Sequence, residues 1–392
     1  MRRILLGVAA GTTACVLPPF LFGAMAVQMR EDLGFSEAGT GLGVGAFFAA
    51  GALCSAVLGR RAERVGASKA LQAAVLWAAI TQLGVAVLAR SLSGVLILLG
   101  LAGAANAMAQ PAANLLISQA LPAQRQGLAF AVKQAAIPFS TLVGGLAVPT
   151  VALTVGWRWA FVGAAAVSVA AVAAVPPLAP RTIPDTTGAF SAERAPWRTM
   201  MMLSAGIALG AAAAGMLGAF LVSAAADAGL EPGAAGLCLT LGSVVGLASR
   251  LLAGVRADRR GGGHLRVVAV MLALGSVSYL LLALHRPALY LASVPLAFGA
   301  GWAWPGLFNL AVVRANPGSP AAATGITQTG TYRGAVAGPL VFGVVAEHSG
   351  FGAAWLLAAA ASAAAAAAIW VGRNMLRRSR AAVAGLPPLA GT

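Results

Sequence analysis

Apolar stretches follow one another from residue 4 to residue 372, with only short polar breaks between them. Each is close to the ~20 residues that carry an α-helix across the hydrocarbon core of a bilayer. A backbone in lipid must satisfy its own hydrogen bonds, so a chain built this way is confined to a bundle of membrane-spanning helices. Twelve spans are expected, at about 4–28, 37–59, 69–89, 92–118, 127–153, 157–179, 199–224, 233–255, 265–284, 287–311, 322–346 and 351–372. The small polar fraction points the same way, since 9% of the residues are charged against about 25% in a soluble domain.

The formal net charge is +16. In a soluble chain this would suggest nucleic acid. In a membrane protein it follows from the Lys and Arg that collect in cytoplasmic loops. No zinc-finger spacing or aromatic-studded basic segment accompanies the charge, so no nucleic-acid partner is expected. With both termini placed inside, most of the 26 Lys and Arg residues fall in inside loops and tails. Arg30, Arg90, Arg158 and Arg286 fall outside, and Lys133, Arg250 and Arg333 fall within spans. The expectation is a multi-pass protein of the cytoplasmic (inner or plasma) membrane, N-in and C-in, monomeric in the lipid bilayer. Cys15, Cys54 and Cys238 lie singly inside apolar runs and form no metal or disulfide framework. No cofactor or metal is expected.

The chain repeats itself. "GFSEAGTGL" (34–42) answers "GLEPGAAGL" (229–237), and "GRRAERVG" (59–66) answers "GVRADRRG" (254–261). Gln134 pairs with Gln328, Gly144 with Gly338, Gly156 with Gly350, and Pro111 with Pro305, all at an offset of 194–195 residues. Two parallel copies of a six-helix unit follow, with a substrate expected between them near the midplane. The halves are placed at 1–180 and 199–392, the second with a basic C-terminal tail. They are joined by a cytoplasmic linker at 181–198 rich in Pro, Thr, Gly and charge. The N-terminus, with Arg2 and Arg3 before an apolar run ending at Ala24-Met25-Ala26, has the look of a signal peptide. Its counterpart halfway along the chain makes it the first span instead.

These motifs carry a resemblance. "GRRAERVG" after the second span, its echo after the eighth, and "GWRWAF" (156–161) entering the sixth resemble the major facilitator superfamily of secondary transporters. The likeness extends over essentially the whole chain. It implies an all-α membrane protein of twelve transmembrane helices, arranged as two pseudo-symmetric six-helix bundles that work by alternating access. It also implies that Gly59, Glu63, Arg64 and Gly66, with Gly254, Asp258 and Arg259 in the second copy, form a gating latch on the cytoplasmic side. Glu63 stands where the family usually has Asp, and Arg61 and Arg256 stand where it has a hydrophobic residue.

The charges within the membrane suggest the cargo. All ten acidic residues fall in loops or near span ends. A charge near the bilayer centre costs at least ~2.5 kcal/mol, so cations kept there without an acid are candidate site residues. Arg333 is about eleven residues into its span, ~16 Å deep at 1.5 Å per residue. Lys133 and Arg250 lie nearer the inner surface. Arg333, helped by Arg250 or Lys133, is expected to bind a small organic anion, since guanidinium matches a carboxylate in bidentate fashion. A cation in span 8 with one in span 11 is similar to the oxalate–formate exchanger-like branch of the superfamily. Asn106, Gln110 and Asn114 recur every four residues in span 4 and form one polar stripe. Gln134, Gln328, Trp304 and Asn309 complete the expected lining.

The function expected is therefore secondary active transport of a small anionic solute. A proton-coupled drug exporter or a neutral-metabolite carrier is the alternative. The exporter's Gly-Pro pair in span 5 and its buried acid in span 1 are both missing. No enzyme is expected: there is no HExxH and no deep acid pair, and His264, His285 and His348 sit at loop edges. Asp227 and Glu347, near the outer ends of their spans, are the remaining candidates for proton coupling.

Overall fold

The computed structural model describes residues 1–177, 197–259, 263–316 and 320–383, apart from the side chains of 123–128, 258–259, 320–322 and 380–383. The expected linker therefore lies almost wholly outside the described residues. All regular structure among those residues is helical: α1 (Arg2–Ala24), α2 (Ala26–Leu33), α3 (Glu37–Val65), α4 (Ala67–Leu88), α5 (Leu92–Ala120), α6 (Ala123–Gln134), α7 (Ala136–Ala147), α8 (Trp157–Ala174), α9 (Trp197–Asp227), α10 (Pro232–Arg259), α11 (His264–Ala283), α12 (Pro287–Leu296), α13 (Pro305–Ala315) and α14 (Pro320–Val383).

These make twelve crossings. α1 is span 1, and α2 extends it past a break at Met25. Spans 2, 3 and 4 are α3, α4 and α5; α6 and α7 share span 5; α8 is span 6. Spans 7, 8 and 9 are α9, α10 and α11, and α12 and α13 share span 10. The 64 residues of α14 are too long for one crossing. They divide into spans 11 and 12 at Gly350, whose φ of 78° and ψ of 165° are not helical. Its repeat partner Gly156 has φ 101°, and another pair, Gly34 and Gly229, has φ 68° and 98°. Residues with a Cβ adopt these angles at a cost, which accounts for glycine at both copies of each turn.

Spans 5 and 10 are interrupted along their length. Span 5 breaks after Gln134, four residues before Pro138. Proline has no N–H to return to the carbonyl four residues back, so the Gln134 carbonyl is freed from the helix. Span 10 passes through a wide π-turn at Ala297–Gly301 and restarts at Pro305. Carbonyls exposed at such breaks need partners, because lipid supplies none.

The apolar core is divided in a way that reveals the conformation. One cluster contains residues of both halves, among them Phe20, Phe22 and Trp157 of the first and Phe220, Phe342 and Trp355 of the second. The other two clusters are each confined to one half: Leu71, Ala112 and Leu116 in the first, Leu203, Leu272 and Phe308 in the second. These separate clusters lie toward the end that carries Arg60, Arg61, Arg64 and Arg256, here called the basic end. The halves are therefore joined at the opposite end and parted at the basic one.

Small residues make the joint. A Cβ on Gly41 of span 2 would collide with the Pro339 carbonyl of span 11, and one on Gly343 would come within 2.6 Å of the Glu37 carbonyl. Between spans 5 and 8, a Cβ on Gly145 would lie 2.6 Å from the Gly236 carbonyl, and between spans 1 and 7 one on Gly23 would lie 2.7 Å from the Ala219 carbonyl. Ser243 donates to Thr141 Oγ1 at 2.7 Å across the 5–8 seam. The Ala38 amide at the start of span 2 donates to Glu347 Oε2 at 3.1 Å, so a carboxylate of one half caps a helix of the other.

Candidate functional site

Arg250 stands where the two halves meet. From α10 its guanidinium reaches both breaks. Nη1 donates to the Gln134 carbonyl, the one freed by Pro138, at 3.4 Å, and Nη2 donates to the Trp302 carbonyl at 2.8 Å. The guanidinium carbon lies 5.9 Å from the centre of the Trp302 ring. Trp302 in turn packs on Phe20 of the first half, with ring centres 5.7 Å apart. Arg250 thus sits at the junction of the halves. Its Nε is buried and has no hydrogen-bond partner, and no ion pair to it exists among the described residues. Guanidinium offers five N–H donors, and the two carbonyls use only part of that capacity.

Lys133 lies beside Gln134 and is 8% exposed. Its Nζ donates to Asn114 Oδ1 of span 4 at 2.7 Å. Asn114 is exposed, while Asn106, about two turns away, is buried and accepts from Gln110 Nε2 at 2.9 Å. The span 4 stripe is therefore partly self-paired, with its Asn114 end holding the lysine. Gln134 contributes its backbone carbonyl to Arg250 and leaves its side chain half-buried. Asn309 is half-buried and Gln328 exposed.

Two expected residues lie apart from this group. Trp304 is buried inside the second half, where its Nε1 donates to the Gly301 carbonyl at 2.8 Å and its ring packs on Phe308. Arg333 is exposed and makes no hydrogen bond or ion pair with a described residue. Span 11 turns the Gly330, Gly334 and Gly338 face to span 7, where a Cβ on Gly338 would lie 2.5 Å from the Ala212 carbonyl. That fixes the helix's rotation. Arg333 then shares one exposed face with Ile326, Ala337 and Val344, at helical spacing. At the level of Val344 the halves are packed together, so this face looks outward to the membrane. Gln328 is five residues away and on another side of the helix.

In the first copy, the residues expected to form a latch make no ion pair among the described residues. Glu63 and Arg64 are exposed. A Cβ on Gly59 would meet nothing nearer than Pro111 Cγ at 3.8 Å, and one on Gly254 would meet open space. Gly66 has φ 93° and makes the turn into span 3. The side chains of Asp258 and Arg259 lie outside the described residues.

Sequence reasoning did not anticipate the carbonyls at the two breaks or the Glu347 cap. The first was signalled by Pro138, since the residue four before a proline in a helix always loses its bond.

Comparison with known proteins bears on the whole chain. The family model described as Major Facilitator Superfamily matches residues 5–216 and again 203–388. No curated protein matches the sequence. Among solved structures, the nucleoside transporter NupG is 16% identical, with a TM-score of 0.75 over 94% of this chain and 99% of that one. A bacterial homolog of the human lysosomal transporter Spinster, inward-facing and occupied, is 16% identical, with a TM-score of 0.72 over 99% and 98% of the two chains. A D-xylose–proton symporter is 16% identical, with a TM-score of 0.74 over 94% and 97%.

Proposed function

The chain belongs to the major facilitator superfamily and is a membrane transporter of a small molecule; we propose that its cargo is a small organic anion bound at Arg250. The observation that carries this reading is a half-buried guanidinium at the junction of the halves, held only by carbonyls, with its Nε–H buried and left without an acceptor. A desolvated cation without a counter-charge is costly. A carboxylate would supply the charge and the missing acceptor together. Lys133, bonded to a neutral amide, adds a second positive charge to the same region. Gln134, Gln328, Asn106, Gln110, Asn114 and Asn309 remain candidates for contacts to the rest of the cargo. Arg333 faces the membrane in this conformation and is not needed for this site.

In this reading the basic end faces the cytoplasm, as the loop charges require, and the protein stands open to the inside. Glu63 and Arg64 engage partners when that end closes. The cargo moves as the halves rock about Arg250. A neutral-metabolite carrier remains the second reading, because structural neighbours carry a nucleoside and D-xylose.

A thermal-shift screen of the purified protein tests the choice. Carboxylates should raise the unfolding temperature of the parent, by mass action on the folded state, and should fail to do so for Arg250→Gln. Stabilisation by sugars or nucleosides that is unaffected by Arg250→Gln would establish the neutral carrier instead.

A further inference from the structure

The anion reading leaves open how much charge the cargo carries. We propose that it is a dianion, a short dicarboxylate bound across the cleft with one carboxylate on Arg250 and the other on Lys133. This rests on the anion reading and goes beyond it.

The two cations belong to opposite halves and are linked through neighbouring residues. Arg250 Nη1 lies 3.4 Å from the carbonyl of Gln134, the residue next to Lys133. Each cation has only neutral acceptors: the Gln134 and Trp302 carbonyls for Arg250, and Asn114 Oδ1 for Lys133. Each retains donor capacity, because an ammonium carries three donors and a guanidinium five. No carboxylate of the chain is available at this depth, since all ten acids stand in loops or near span ends. The region therefore holds two positive charges that no described residue neutralises.

Closing the basic end would seal the buried Lys133 and the half-buried Arg250 off from bulk water together. With a monoanion bound, one would remain uncompensated in the closed cleft, and burying an unpaired charge is strongly unfavourable. With a dianion bound, two cations meet two carboxylates and closure buries no net charge. The number of charges on the cargo thus decides whether the halves can come together. Because Lys133 is on the first half and Arg250 on the second, a dicarboxylate also bridges them mechanically.

The test compares each diacid with its half-amide, which has the same length and one charge fewer. Binding of malonate, succinate and glutarate to the purified full-length protein is measured beside malonamate, succinamate and glutaramate. At least one diacid should bind ten-fold or more tightly than its half-amide. Lys133→Gln should reduce that ratio to about one by weakening the diacid and sparing the half-amide. Asn114→Asp, which gives Lys133 a built-in counter-charge and keeps the side-chain shape, should do the same, while Lys133→Arg should keep the preference. Parity between every diacid and its half-amide in the parent would overturn the proposal, as would a preference that survives both Lys133→Gln and Asn114→Asp. If neither kind of carboxylate binds the parent while a neutral solute does, the anion reading itself has failed.

Discussion

Arg250 owes its setting to residues far away in the sequence: a proline that frees one carbonyl, and a helix break that frees another. Arg333 has no such setting. Its guanidinium stands near mid-membrane on an outward face and meets no described partner. Replacing it with glutamine should leave carboxylate affinity within about two-fold of the parent. It should also raise resistance to unfolding, because removing a charge from this depth relieves a cost of at least ~2.5 kcal/mol. Binding isotherms and detergent unfolding curves of Arg333→Gln check both. A ten-fold loss of affinity would return Arg333 to the site. That the deep cations lack acids was legible from residue counts alone. Which of them face the cleft was not, because depth follows from position along a span, while direction depends on the neighbour that fixes the helix's rotation. For span 11 the clue was in the sequence as Gly330, Gly334 and Gly338, a small-residue face that must lie against another helix. Trp304 was misplaced for a similar reason: indole suits a cavity wall and a packed core equally well.

At the scale of elements, the seams between spans 2 and 11 and between spans 5 and 8 hold the non-basic end shut. They are backbone-to-backbone contacts, and a single methyl group is too large for them. Gly145→Ala should part spans 5 and 8, and Gly41→Ala should part spans 2 and 11, each favouring the state open at the non-basic end. Glu347→Ala should act in the same direction more weakly, because it removes one helix cap, typically worth about 1 kcal/mol. Alkylation of a thiol placed in the seam by Ser243→Cys reports the opening: the rate should rise in Gly145→Ala and stay unchanged if the seam is incidental. All twelve crossings were readable as apolar runs. The breaks in spans 5 and 10 were not, because apolar content is continuous across them. Their cause is local geometry at Pro138 and around Ala297–Gly301, which hydropathy does not register.

For the molecule as a whole, the two-fold repeat was the most legible feature, because paired glycines at positive φ leave an imprint that side-chain drift cannot erase. The conformation was not legible at all. The same sequence encodes both open states, and their difference lies in which of two comparably packed ends is joined. Here the shared core lies at the non-basic end, and each half keeps its own core at the other. An anion at Arg250 then has a definite task, to make closure of the basic end favourable. The most direct test is the distance between spin labels introduced by Arg61→Cys and Arg256→Cys, one on each half at that end, with Cys54 replaced by serine. Malonate or succinate should shift the distribution to shorter distances in this background and leave it unmoved when Arg250→Gln is added. A distribution indifferent to both diacids, or a shortening that persists in Arg250→Gln, would contradict the account.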